Sequence, residues 1–153
     1  MEIQTKVLPP EVLLEDYCRL LQTDGNVAAL PLQVSGNSMF PFLTHGRDTV
    51  YLSRLTRPVR RGDVLLYRRD SGAYVLHRVF AVGEESFTML GDNQLSPEPG
   101  IRHEQILAVS EQVIRKGKTL RAGDWGWEFF AKTWLKLYPV RRWALAVVRL
   151  TKA

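Results

Sequence analysis

The spacing of apolar positions along the chain changes twice. Between residues 9 and 23 it is helical, with Val12, Leu13, Tyr17, Leu20 and Leu21 forming one stripe. Glu11, Glu15, Asp16 and Arg19 make that segment amphipathic, Pro9 and Pro10 suit its first turn, and Asp24-Gly25 suits its end. A short surface helix is predicted. Beyond it, short runs of Val, Leu, Tyr and Phe alternate with Gly and Asp, which predicts strands near 28–34, 48–53, 63–69, 73–82, 86–90 and 106–115, with one more near 118–121. The stretches RRGD, DSGA, GEES and RKGK read as tight turns. So many short strands in roughly 95 residues imply a closed or coiled antiparallel sheet, because open edges invite aggregation. From Trp125 onward the composition becomes helical again, with a break or kink at Pro139.

The expected fold class is therefore mainly β, with a short N-terminal helix and a C-terminal helical tail. A length of 153 residues suits one domain with a single core. The division expected is a domain over 1–124 and a tail over 125–153. Charge follows the same division. The formal net charge is +5, yet Lys132, Lys136, Arg141, Arg142, Arg149 and Lys152 all lie beyond Phe129, where no acid occurs. Without the tail the chain is close to neutral. With no helix-turn-helix and no aromatic RNA-binding motif, no nucleic-acid partner is expected. All four tryptophans lie in the tail as well. Rings with cations and no acid after Glu128 suit an anionic membrane surface along residues 125–150, whereas large aromatics packed back on the β domain would be ordinary core. Cys18 is the only cysteine, so no intrachain disulfide and no cysteine-based zinc site is expected, and it reads as a small core residue. The opening MEIQTKV is too polar for a signal peptide, and no run approaches the roughly 20 apolar residues needed to cross a bilayer. The expected location is cytoplasmic or peripheral to a membrane.

Three stretches carry candidate chemistry. SGNSMFPFL places Ser38 in a glycine-preceded corner between two strands, YVLHRVFAV places His77 inside an apolar strand, and MLGDNQ places Asp92 directly after one. Singly, these are a turn serine, a core histidine and a turn aspartate. Together they are a nucleophile, a general base and an orienting acid. Ala73, Val75, Val79 and Ala81 share the face of His77, and such an apolar face favours the neutral imidazole that a base requires. His45 and His103 lie in polar, loop-like contexts and receive no role.

Order and wording add weight to the combination. Gly36, Ser38, Met39 and Pro41 carry a Gly-x-Ser-Met-x-Pro pattern. A Gly-Asp-Val step follows at Gly62, Asp63 and Val64, then the strand bearing His77, then Gly-Asp-Asn at Gly91, Asp92 and Asn93. Over roughly residues 28–115 this resembles the type I signal peptidases and, more distantly, the self-cleaving repressors of the SOS response that share their fold. His77-Arg78-Val79 resembles the Ser-His branch found in archaea and the endoplasmic reticulum; no lysine lies between Lys6 and Lys116 to serve as the alternative base. The resemblance implies a coiled antiparallel β domain of that type and a serine endopeptidase cutting signal or leader peptides after a small residue. Ser38 would be the nucleophile, His77 the base and Asp92 the residue holding the imidazole. Gly36, Asn37 and Met39 would line the cleft and oxyanion hole, with the N–H of Ser38 as one donor. An extended peptide or precursor protein would be the partner, and no metal or cofactor is implied. That branch carries a further aspartate some six residues after Asp92; here the nearest acid is Glu98, the candidate additional acid. The membrane anchor usual before the serine is not expected here. The alternative from another class is a non-catalytic peptide-binding or regulatory module on the same fold.

Overall fold

A computed structural model of the chain describes residues 10–23 and 29–151. Helix α1 (Pro10–Thr23) buries Leu14, Cys18 and Leu21, at intervals of four and three residues. The stripe is thus rotated from the one the sequence predicts, since Leu20 is 42% exposed. Cys18 is a small core residue, and burial pushes its thiol up to about 11. The helix start expected at Pro9, its stop at Asp24-Gly25 and the strand start expected at residue 28 lie outside the described residues.

Eight strands follow: β1 (Leu30–Gln33), β2 (Thr49–Ser53), β3 (Val64–Arg68), β4 (Tyr74–Val82), β5 (Ser86–Leu90), β6 (Glu98–Arg102), β7 (Ile106–Arg115) and β8 (Lys118–Arg121). All pair antiparallel, in the order β1-β2-β7-β3-β4-β5-β6, with β8 on β7. The sheet is open. The register shifts at Tyr51/Leu52, Leu66/Tyr67, Val79/Ala81 and Phe87/Met89, where an extra residue bends the strand and increases its twist. β6 is a strand the sequence pattern does not predict. Pro99 and Gly100 read as breakers, but β6 ends the sheet path, where a missing N–H disrupts no ladder on the free side.

β3 is buried on both faces, so its side chains divide between two cores. Val64 and Leu66 join Met39, Phe42, Val50 and Val113 against the helices, while Leu65 and Tyr67 join Val79, Phe87, Met89 and Val109 on the other side. The tail completes the first core. It runs through α2 (Trp125–Glu128), a π-helical stretch (Phe129–Trp134), a 3₁₀ turn containing Pro139 (Tyr138–Val140) and α3 (Arg141–Thr151). Trp127, Phe130, Trp134 and Leu145 are buried in that core, with Phe42 edge-on to Trp127 and tilted against Phe130. Trp125 and Trp143 remain outside, 83% and 66% exposed. Among the described residues no helix is long and apolar enough to cross a membrane.

Candidate active site

The serine corner is built as a rigid turn. Gly36 sits at φ +83°, a conformation that a side chain would resist, and its N–H donates to His45 Nδ1 at 2.7 Å. The sequence gives His45 no role, yet it props this corner, and the bond requires an unprotonated Nδ1. Met39 is buried in the core and pins the turn from below. Phe40 donates its N–H to Asn37 O at 3.1 Å, and Leu43 donates to Met39 O at 2.9 Å. Ser38 itself is half-buried. Among the described residues its N–H and its hydroxyl have no hydrogen-bond partner, so the donor expected for an oxyanion hole is uncommitted.

Ser38 and His77 line the same cavity, of about 930 Å³. Leu14 of α1, Leu32 of β1, Val34 just after it, and Leu66 and Leu76 supply apolar walls; Arg69 and Gln94 supply polar ones. No hydrogen bond joins Ser38 to His77 in this arrangement. Such contacts are often long without substrate and tighten when it binds.

His77 is 3% exposed and opposite Leu65 in the β3–β4 ladder. Its Nδ1 lies 3.2 Å from the Tyr67 hydroxyl. That hydroxyl donates its one proton to Glu98 Oε1 in a short bond, while Arg69 Nε donates to Glu98 Oε2 at 2.8 Å. With its proton committed to Glu98, Tyr67 Oη can only accept from His77. The proton of the neutral imidazole therefore sits on Nδ1, and Nε2 carries the lone pair that a base uses. Burial pushes His77 down to about 4, the Arg69 charge adds to the fall, and the Glu98 charge opposes it. Burial first, then the Glu98 bond and charge, drive the Tyr67 hydroxyl far above its usual range, which keeps it protonated.

Asp92 does not hold the imidazole. It is completely buried, and its two carboxylate oxygens accept from Arg78 Nε at 2.8 Å and Nη2 at 2.9 Å. Neighbouring residues on a strand face opposite sides, so a partner of Arg78 stands on the far side of β4 from His77. Glu98, reaching His77 through Tyr67, is the acid connected to it. The loop bearing Asp92 serves the serine in another way. Asn93 N–H donates to Ser38 O at 2.9 Å, and Asn93 Nδ2 donates to Asn37 O at 3.1 Å. A side chain at Gly91 would bring its Cβ within 2.5 Å of Ser38 O and 3.0 Å of Gln94 Oε1, so glycine is what lets the two loops touch. The tail grips the same loop from behind. Trp134 Nε1 donates to Asp92 O at 2.9 Å, Arg141 Nη1 to Gly91 O and Gln94 O, and Tyr138 Oη to Leu95 O at 2.6 Å. The Gly62-Asp63 step lies outside the site: Arg57 binds Asp63 in a bidentate pair, and Gly62 O accepts from Arg78.

Sequence reasoning missed Tyr67, Arg69, Arg78 and His45. Tyr67 was within reach. The turn at Asp70–Gly72 sets a register in which Leu65 faces His77 and Tyr67 faces Val75, so Tyr67 is the diagonal neighbour of the imidazole on one face. Among the described residues no cluster of His, Cys, Asp and Glu could hold a metal ion. In comparisons with known proteins, no family model and no curated protein matches the chain.

Proposed function

We propose that the chain is a serine endopeptidase of the signal-peptidase type, acting on signal or leader peptides and cutting after a small residue. The observation that carries this is the meeting of Ser38 and His77, from separate motifs, at one cavity, with the imidazole held neutral and its Nε2 unencumbered. An extended peptide lies along the cavity beside the β1 edge. His77 Nε2 takes the Ser38 Oγ proton as Oγ attacks the scissile carbonyl carbon. The Ser38 N–H donates to the oxyanion. The tetrahedral species collapses as the imidazolium gives its proton to the leaving amine, leaving an ester on Ser38. Water, deprotonated by His77, attacks that ester and releases the new carboxyl terminus and the serine. Glu98, acting through Tyr67, stabilises the imidazolium formed in each half.

A second reading is a non-catalytic peptide-binding or regulatory module, favoured by the missing Ser38–His77 hydrogen bond. A fluorophosphonate probe with mass mapping separates the two. Labelling of Ser38 that disappears in Ser38→Ala supports the peptidase, as does a loss of at least ~10³-fold in peptide cleavage by that variant. Full turnover by a folded Ser38→Ala protein refutes it.

A further inference from the structure

Helix α3 is apolar on two opposite faces. Arg141 and Leu145 are buried against the domain, and Leu145 belongs to its core. On the outside, Val140, Trp143, Val147 and Leu150 are 48%, 66%, 60% and 78% exposed, at intervals of three, four and three residues. Ala146 lies between them and is exposed too. A helix that is apolar on both sides ordinarily has both sides covered. The chain around this face is cationic. Arg142 lies with its guanidinium 5.2 Å from the Trp143 ring centroid, Lys136 is exposed, and Arg149 reaches back to Asn93 Oδ1 at 2.9 Å. α3 contains no acid, and none follows Glu128 in the chain.

We propose that this outer face of α3 docks on an anionic lipid surface, with the helix axis in the membrane plane. Trp143 sits at headgroup depth, Val147 and Leu150 enter the acyl boundary, and Arg142 meets lipid phosphate. The charge pattern selects this occupant over a second copy of the chain. Two such faces would bring Arg142 against its counterpart with no acid to answer it. An anionic bilayer supplies both the apolar medium and the negative charge. Docking involves α3 alone, not the 125–150 segment as a whole, because Trp127, Phe130 and Trp134 are already in the core. The inference is independent of catalysis, and its test reads no cleavage.

The test is cosedimentation of the full chain with phosphatidylcholine vesicles, with and without about one-third phosphatidylserine. Binding should require the anionic lipid at about 0.05 M salt and weaken at about 0.5 M as screening grows. Trp143→Glu combined with Leu150→Glu should weaken it at least ~10-fold while far-ultraviolet circular dichroism and the urea-unfolding midpoint stay unchanged. If that protein fails to fold, Trp143→Ser should still give a clear loss. Wild-type protein that stays in solution with anionic vesicles at low salt overturns the proposal. So does undiminished binding by the folded variants. A dimer of the wild type that these substitutions dissociate, with no lipid binding, makes the face a self-interface and overturns it too.

Discussion

The setting of His77 predicts how stability and activity depend on pH. An imidazole in the unfolded chain titrates near 6.5, whereas burial brings the folded value to about 4. The folded value is the lower one, so the unfolded chain takes up the proton first as pH falls. The stability contributed by a neutral His77 is therefore complete above about pH 6.5, shrinks between 6.5 and 4, and levels off below. At about 1.36 kcal/mol per pH unit between the two values, the loss approaches about 3 kcal/mol. With the ring 3% exposed, solvent does little to reduce it. Urea unfolding from about pH 7.5 down to pH 4 measures this, with His77→Gln as the non-titrating control. Asp48 also loses stability in acid: despite the burial that pushes its carboxyl up, Arg47 and the N–H groups of Lys116 and Thr44 hold it below the usual range. That contribution is common to both proteins and cancels in the difference. The wild-type advantage should fall by about 3 kcal/mol across the window. A difference that stays flat to pH 4 would mean that His77 titrates alike in both states, which refutes the buried neutral base. Peptide cleavage should rise with a midpoint near 4 and reach a plateau by about pH 6; a midpoint near 6.5 refutes the same point.

Tyr67→Phe removes the acceptor for His77 Nδ1–H and frees the tautomer, so kcat should drop ~10–100-fold, while Glu98→Gln, which keeps the tyrosine bond but not the charge, should move the cleavage midpoint further down in pH. Gly91→Ala forces its Cβ against a backbone carbonyl and should cost about 1–3 kcal/mol in urea unfolding and at least ~10-fold in kcat by displacing the serine corner. Asp92→Asn leaves Arg78 buried without its carboxylate and should cost about 3–5 kcal/mol in unfolding experiments, with the pH midpoint of cleavage unmoved. A shifted midpoint with stability intact would instead place Asp92 on the imidazole.

How far the sequence could be read depended on which physical signal each element leaves. Strand periods were legible because Val, Leu and Tyr alternate between turns that few other structures tolerate. β6 was hidden because Pro99 and Gly100 oppose a strand anywhere except at an edge, and edge position is a property of the whole sheet. Ser38 and His77 drew attention through the combination of motifs, and the structure places both at one cavity. Asp92 was misassigned because His77 and Arg78 are adjacent, and a period of two sends them to opposite faces. Only the path of the following loop decides which one the carboxylate meets. Tail composition was ambiguous in the same way. Aromatics and cations suit a core or a membrane, and the chain divides them, with Trp127 and Trp134 inward and Trp143 outward.

The grip of the tail on the loop at Gly91–Gln94 has a consequence for the order in which the protein is made. Ser38 O hangs on Asn93, and that loop hangs on Trp134, Arg141 and Arg149. On a ribosome, Ser38 emerges long before the residues that fix its corner. At about 5–20 residues per second, the roughly 110 residues from Ser38 to Arg149 take on the order of 10 s to synthesise. For that interval the nascent chain carries a serine without its setting. On the peptidase function proposed above, such a site would switch on only when its own translation is nearly finished, sparing the unfinished chain an active protease beside it.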